Sequence, residues 1–564
     1  MRYRWGLRDF AVACALFAAT AAVVFWQNAR LAVMWDLSYV LETSYRISLG
    51  QMPYRDFPLA HAPLTVLIQA AIIRVTGRVF WHHVLYCAVV GGMGSVVAWR
   101  VALKVLGDRA WWTSVLLALP MMFLGVYGIY PHPNYDCDCA FAVLVAVWLL
   151  QRVERGVGWA LMAGMAAVAP LFFKQNIGLP FLLMVGLGVL GLVFVDSRRV
   201  WLAVLAGVTA GVAMATAVMH WTVGIGNYIQ WTVRFPAQRR IPSLGAMVGI
   251  YREGSLEWTI PCVVAGVVLC KLKAGWARAL GVGLLATPFA WTIVALFRTT
   301  DAEERASSLL ALWPLVILLA AVVALYGVLL RVKKGGIPEL SALSFSASSQ
   351  GALVPFFLLV AINGTFLSQQ LWGSTYATWP MLLLLIAGLI GAAGFRERWM
   401  APALAGMIGV SLLVAGGFYV ASEDRLAYAA VSDGELRHSK LPELAGMSVR
   451  GPYLPNFEEL VAFAGTNIPQ GDGLVMINGE DPFYYVTGRT PQFPVLLFDP
   501  TTQPYSPERL RGLVVEKNIR WLVVKRVLQI GEDPTPDRAA TLEALGREFV
   551  VERKLAGYDV YRRR

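Results

Sequence analysis

Of the 564 residues, 57% are hydrophobic and only 15% charged, and the mean hydropathy is +0.58. A soluble chain of this length needs far more charge to cover its surface, so the apolar excess faces lipid. The net charge of +12 does not point to nucleic acid, because basic residues of a membrane chain gather in its cytoplasmic loops.

The basic opening Met1–Arg8 leads into an apolar run at 10–27. No small-residue cleavage site precedes Trp26-Gln27-Asn28, so this run reads as an uncleaved first span rather than a signal peptide. Further runs of spanning character follow near 82–103, 111–129, 138–151, 157–173, 178–195, 200–221, 257–271, 279–297, 307–330, 352–368, 378–394 and 399–420. The segment 62–76 is apolar but short, and it carries Arg74.

Whether 62–76 spans decides the topology. With Arg2, Arg4 and Arg8 in the cytoplasm and 62–76 lying on the outer surface, the cytoplasmic loops are Lys104–Arg109, Arg152–Arg155, Arg198–Arg199, Lys271–Arg278, Arg331–Lys334 and Arg396–Arg398. All are basic, as the positive-inside rule requires; a spanning 62–76 would turn every one outward. The expectation is an α-helical polytopic membrane protein of about thirteen spans over 1–421, with an interfacial helix at 62–76. Trp5, Trp26, Trp81, Trp111, Trp112, Trp221, Trp231 and Trp379 fall near span ends, as an aromatic belt would.

The outer loops then fall at 28–81, 130–137, 174–177, 222–256, 298–306 and 369–377. The fourth holds Arg234, Arg239, Arg240 and Arg252 against the cytoplasmic bias, and an anionic ligand is one reason for basic residues there. Asp301, Glu303, Glu304 and Arg305 read as a plain solvated cluster.

After Ser422 charge, Gly and Pro rise, and 422–564 is long enough for one soluble domain on the extracytoplasmic side. Leu474–Ile477 and Trp521–Val524 read as buried strands, and Phe457–Ala464, Pro507–Lys517 and Ala539–Phe549 as helices. Phe549–Lys554 and Asp559–Arg562 read as a terminal strand pair, which together suggests a small α/β domain. The six cysteines all precede this tail, so no disulfide framework staples it.

Among residues that can carry chemistry, Asp36 stands just after the first span, where a carboxylate is costly unless used or paired. Pairing with Arg30 or Arg55, or capping of the following helix, would also account for it. Gly50-Gln51-Met52-Pro53-Tyr54-Arg55-Asp56-Phe57 and His61-Ala62-Pro63-Leu64 read locally as a Gly-terminated helix, a turn and a Pro-started helix. The second outer loop reads Tyr130-Pro131-His132-Pro133-Asn134-Tyr135-Asp136.

An acid after the first span, then a helix ending in Gly, then Tyr-Arg-Asp-Phe and a Pro-Leu helix start, resembles the GT-C glycosyltransferases. The branch it looks like contains the protein mannosyltransferases and the bacterial aminoarabinose transferase of lipid A. A second acid about a hundred residues on, the span count and the outer tail are similar too. So are Val475–Asn478, Asp481–Tyr485 and Thr487–Arg489. The resemblance implies transfer of a sugar from a polyprenyl-phosphate donor to a lipid, glycan or protein acceptor. The reaction would take place at the outer face of a bacterial cytoplasmic membrane.

On that pattern Asp36 matches the first-loop catalytic acid and Asp136 the second, with Asp138 as its competitor. Family members often have Lys-Pro-Pro-Leu where this chain has His61-Ala62-Pro63-Leu64, which makes the charge at 61 depend on pH, with an unperturbed pKa of about 6.5. Sugar transfer from a phosphate needs a base for the acceptor hydroxyl and cations for the departing phosphate. Asp36 can be the base. Arg55, His61, Lys174, Arg234, Arg239 and Arg240 can be the clamp, with Tyr54 and His132 beside them, although Lys174 can equally snorkel from a helix end. The sequence fixes no cofactor; a divalent metal is possible at Asp36, Asp136 and Asp138, while Asp136-Cys137-Asp138-Cys139 matches no common zinc spacing. His82 and His83 read as interfacial, and Asp481, Tyr484, Tyr485 and Arg489 as fold contacts. A transporter or flippase of lipid-linked sugars, or a ligase or polymerase of lipid-linked glycans, are the competing functions. No internal repeat of the kind transporters carry is found.

Overall fold

The computed structural model describes residues 6–30, 32–107, 110–195, 198–239, 241–333, 349–368, 373–422, 434–498, 502–528 and 536–564. From the N-terminus run α1 (Leu7–Asn28), α2 (Met34–Ser48), α3 (Leu64–Thr76), α4 (Phe80–Leu106), α5 (Trp111–Ala118), α6 (Met121–Leu124), α7 (Tyr135–Leu150), α8 (Val157–Phe173), α9 (Gln175–Val195) and α10 (Arg198–Thr222). Short helices α11 (Ile225–Ile229), α12 (Phe235–Arg239) and α13 (Leu244–Gly249) fill the loop 222–256. Then come α14 (Leu256–Lys271), α15 (Gly275–Arg298), α16 (Ala302–Leu310), α17 (Leu312–Lys333), α18 (Ser349–Thr365), α19 (Trp379–Ala392) and α20 (Met400–Ala421).

Every apolar run of the sequence is helical, but not every one is a full span. Seven described helices are long and apolar enough to cross a bilayer, or eight if the pair Leu244–Arg252 and Leu256–Lys271, bent by 52°, counts as one broken span. The run at 111–129 is not one helix. Pro120 has no N–H and its ring crowds the preceding turn, so α5 stops, α6 lasts four residues, and the chain turns away. Helix α3 has 13 residues, about 20 Å at 1.5 Å each, against a hydrocarbon core of about 30 Å. That length suits a helix lying along an interface.

The bundle closes where small residues let backbones meet. A Cβ on Gly91 of α4 would stand 2.9 Å from the Val126 carbonyl, and one on Gly92 would stand 2.6 Å from the Phe17 ring. Helix α4 thus sits tight against α1 and the loop after α6. Trp99, Trp313 and Trp379 are fully buried, the last two edge to face at 5.1 Å. Asp138 is buried in the same core, and its carboxylate accepts the hydroxyls of Thr65, Tyr86 and Tyr127, each at 2.7 Å. Hydrogen bonds to a buried charge contribute about 1.5–3 kcal/mol each. Asp138→Ala therefore lowers the thermal midpoint of the purified chain by many degrees, and thermal melts in detergent check it.

The C-terminal region holds β1 (Leu436–His438), β2 (Ser448–Arg450), α21 (Tyr453–Asn467), β3 (Gly473–Ile477), α22 (Phe483–Thr487), α23 (Pro507–Glu516), β4 (Ile519–Lys525), α24 (Pro536–Gly546), β5 (Phe549–Lys554) and β6 (Tyr558–Arg563). Strands β1 and β2 pair alone, and the main sheet runs β3-β4-β6-β5 with only β3 and β4 parallel. Side chains alternate across it. Leu474, Met476, Trp521 and Val523 join one core with α21 and with Met34, Leu37 and Leu41 of α2. Val475, Ile477, Leu522 and Val524 join another with Leu510, Leu513 and Val514 of α23. Cover on both faces is why β3 and β4 read as unbroken apolar runs.

This region docks on α2. Ser38 Oγ donates to the Glu480 carbonyl at 2.7 Å, the Tyr485 N–H donates to Glu42 Oε1 at 3.0 Å, and Arg46 donates to the carbonyls of Phe493 and, at 3.3 Å, Pro494. Arg78 donates to the carbonyls of Tyr485 and Val486 at 2.7 and 2.8 Å. Burial pushes the Glu42 carboxyl up to about 8 from its ordinary 4.5, against the Tyr485 and Tyr484 amides and Arg46, which favour the charged form. Between those values the folded chain holds a proton that the unfolded chain has released. The stability tied to this proton is full below about pH 4.5 and is lost as pH rises through about 8. Melting curves across that window should fall more steeply for the native chain than for Glu42→Gln, which cannot titrate.

Candidate active site

The loops 28–81, 130–137 and 222–256 meet at one end of the bundle. At the end of α1, Gln27 donates to the Gly128 carbonyl and Asn28 to the Pro131 carbonyl at 2.8 Å. His132 completes the seam: its Nε2 accepts from the Val33 N–H at 3.2 Å, and its Nδ1 lies 2.8 Å from Asn28 Oδ1. With Nε2 accepting, Nδ1 carries the proton and donates to Asn28. His132 is fully buried with both nitrogens in use, so it braces the two loops rather than facing a ligand as expected.

That seam places the start of α2. Asp36 lies in the first helical turn, half-buried, where the helix dipole favours negative charge. The Tyr130 hydroxyl reaches its Oδ2 at 3.3 Å. Burial, and then the Asp36 charge, push the Tyr130 phenol well above its ordinary value, so it stays a donor.

Asn134 caps α7, its side chain accepting the Asp136 N–H at 2.7 Å. Asp136 and Asp138 stand about 200° apart around the helix, at 100° per residue. Asp138 therefore turns into the core, away from the role of second acid, while Asp136 forms an ion pair with Lys174. Lys174 occupies the extended break between α8 and α9. The break is tight: a Cβ on Gly178 would stand 2.2 Å from the Leu171 nitrogen. Helix α8 runs on through Pro170 to Phe173, and the Pro170 carbonyl accepts the Lys174 N–H at 3.0 Å before the chain turns extended. The Lys174 ammonium, 4.8 Å from the Tyr135 ring centroid, points inward and does not snorkel.

His61 stacks on Tyr135 at 4.3 Å and meets Tyr39 edge-on at 5.6 Å, which brings the segment around His61 to the same place. Tyr54, held in left-handed backbone with φ 67°, donates its hydroxyl to the His61 carbonyl at 2.7 Å. It supports His61 rather than reaching outward. Arg55 departs from expectation more sharply. Its guanidinium binds both oxygens of its neighbour Asp56, at 2.9 and 3.0 Å, on an exposed turn.

From the fourth loop, Tyr228 meets Tyr54 edge-on at 5.3 Å and stacks on Phe172 at 6.2 Å. Gln175, next to Lys174, donates to the carbonyls of Ala60 and Thr232, both at 3.0 Å, and so ties this loop to the His61 segment. Arg234 is exposed in the π-helical turn Gln230–Arg234. Arg239 ends α12, while Arg240 lies outside the described residues. Tyr130, Tyr39 and Gln175 escaped sequence reasoning; the adjacency of Gln175 to Lys174 was the one signal available.

The donor chemistry does not suit a divalent ion. Asp138 is taken by three hydroxyls, and a cation already sits on Asp136. Among the described residues no group of three or more His, Cys, Asp or Glu is arranged as ligands. Cys137 and Cys139 turn inward, their sulfurs 3.8 Å and 3.5 Å from the Tyr130 and Pro170 carbonyls, so the Cys-X-Cys belongs to the packing of α7.

No protein-family model matches the sequence, and no curated protein matches it. The chain is similar to several solved structures. ArnT from Cupriavidus metallidurans, bound to undecaprenyl phosphate, is 15% identical with a TM-score of 0.44 over 97% of each chain. The apo oligosaccharyltransferase of Archaeoglobus fulgidus is 12% identical with a TM-score of 0.48 over 92% of this chain and 69% of its own. The oligosaccharyltransferase AglB from the same organism, in complex with an inhibitory peptide and a dolichol-phosphate, is 10% identical with a TM-score of 0.46 over 91% and 69%.

Proposed function

We propose that this chain is a membrane glycosyltransferase that moves a sugar from a polyprenyl-phosphate donor to a lipid, glycan or protein acceptor outside the cytoplasmic membrane. The observation that carries the reading is that Tyr130 reaches Asp36 while Lys174 pairs with Asp136 and lies over Tyr135, on which His61 stacks, all on elements distant in sequence. In the reaction Asp36 takes the proton of the acceptor hydroxyl while Tyr130 holds the carboxylate in place. The acceptor oxygen bonds to the anomeric carbon, the bond from that carbon to the phosphate oxygen breaks, and polyprenyl phosphate leaves. Lys174 meets the charge growing on the phosphate, with Asp136 holding its ammonium in position beforehand. His61, fixed on Tyr135, lies beside that phosphate, and Arg234 is the exposed cation of the fourth loop nearest in sequence to the Thr232 tie. The polyprenyl tail would lie along apolar helix faces, at about 0.8 kcal/mol per buried CH₂.

In this reading residues 1–421 form the catalytic membrane domain and 422–564 an extracytoplasmic domain, with the N-terminus in the cytoplasm. A transporter of lipid-linked sugars is less favoured, because transporters place ionisable residues near the bilayer midplane and this cluster gathers loops at one end. The test is the purified chain in lipid nanodiscs with a radiolabelled polyprenyl-phosphate sugar and a mixture of candidate acceptors. Labelled covalent product is expected. Movement of donor across proteoliposomes without product would give the transporter precedence.

A further inference from the structure

The polar contacts between α2 and the C-terminal region follow a rule. Ser38, Glu42 and Arg46 are spaced by four, so they form one stripe along the helix. The stripe engages backbone groups of Glu480, Tyr485, Phe493 and Pro494 in the same chain direction. At 100° per residue, Asp36, Val40 and Ile47 fall about 160–200° from Ser38 and about 120–160° from Glu42, on the other side of the helix. Val40 and Ile47 pack there with Tyr54, Phe57 and Tyr39 of the site. One helix thus carries the proposed base on one face and is bolted to the C-terminal region by the other.

The bolt is stiff. Glu42 is 3% exposed and Arg46 1%, so neither contact is exchanged easily for water. The loop that offers the Glu480 carbonyl is itself pinned, since Lys525 of β4 bonds Glu480 Oε2 at 3.2 Å and Asp481 Oδ1 at 3.0 Å, all three buried. Tyr45 adds an edge contact to Tyr485 at 6.3 Å. Because the partners are mostly main-chain groups, the stripe specifies where α2 lies and how it is rotated about its axis.

We propose that Glu42 is a positioning residue: by tying α2 to the 480–494 segment it sets the rotation of the helix and hence the place of the Asp36 carboxylate. The C-terminal region is then part of the catalytic apparatus, though it touches no substrate. This inference rests on the glycosyltransferase reading for its kinetic consequence but not for its structural one.

The experiment uses the full chain in nanodiscs, comparing native, Glu42→Gln and Glu42→Ala proteins. It reads kcat and KM with a labelled polyprenyl-phosphate sugar, and hydrogen exchange of the 34–48 amides by mass spectrometry. Gln keeps an oxygen for the Tyr485 N–H and Ala does not. Glu42→Ala should lower kcat by roughly tenfold to a hundredfold, the scale of a misplaced reacting group, with KM changed less than threefold. It should also speed exchange in 34–48, while Glu42→Gln restores both readouts. If the Ala protein unfolds, Ser38→Ala, which removes one bond of the same stripe, should show the same pattern in milder form. A folded Ala variant with native kcat and native exchange overturns the proposal, and so does a loss that Gln fails to restore. If the native chain transfers no sugar, the functional reading fails. The exchange arm then still decides whether Glu42 holds α2.

Discussion

Asp36→Asn should lower sugar transfer by about a hundredfold to ten-thousandfold, the range for removal of a general base, while leaving the chain folded and the donor bound. Asparagine fills the same space and can still accept the Tyr130 hydroxyl, so the turn at the start of α2 keeps its shape. What it loses is the capacity to take a proton. The loss should therefore appear in kcat, with KM for the donor nearly unchanged. Tyr130→Phe supplies the contrast: it removes one hydrogen bond to a charged group, about 1.5–3 kcal/mol, and should cost far less activity. Single-turnover assays with labelled donor check both. Retained transfer by the Asp36→Asn chain would end its role as base.

Lys174→Met should be the most damaging single change at the other half of the site, for two separable reasons. The Lys174 and Asp136 side chains are only 10% and 14% exposed, so removing the cation strands a nearly buried carboxylate. Breaking such a pair costs about 3–5 kcal/mol. It also removes the charge proposed for the departing phosphate. The double variant Lys174→Met with Asp136→Asn separates the effects, because it leaves no unpaired charge. Thermal stability should return toward the native value in the double variant while transfer stays low. If transfer returns as well, the pair is a structural bridge and the phosphate is held elsewhere.

The helices were legible because spanning segments need long apolar runs, and each such run in this sequence is helical. Breaks within them were less legible. Pro120 lies inside an apolar stretch, and only the arrangement of the chain shows that it ends α5 rather than bending a longer helix. In the tail, the doubly covered strands announced themselves as Leu474–Ile477 and Trp521–Val524, whereas the three-residue strands β1 and β2 are too short to carry a period.

The site was legible in its residue types and less so in its pairings. Lys174 pairs with Asp136, His61 stacks on Tyr135, and Tyr130 reaches Asp36, pairings that loop position alone does not specify. Arg55 does not join them, because the adjacent Asp56 offers its guanidinium a shorter route. Asp138 and His132 turned out to be held by the chain itself, which depends on helix rotation and loop contacts that spacing alone does not fix. The stripe Ser38, Glu42, Arg46 was present as a four-residue period, but its partners lie more than four hundred residues away in sequence.

The central claim is that this cluster works in water outside the cytosol, where polyprenyl-phosphate sugars would be used. It is tested most directly in intact cells by a membrane-impermeant thiol reagent. The chain would keep only the buried Cys87, Cys137, Cys139 and Cys270, with one cysteine introduced by Arg55→Cys beside the site or by Lys273→Cys between α14 and α15. The account expects the first to label in intact cells and the second only after the membrane is opened. The reverse pattern would put Asp36 and its neighbours in the cytoplasm and contradict the proposed reaction.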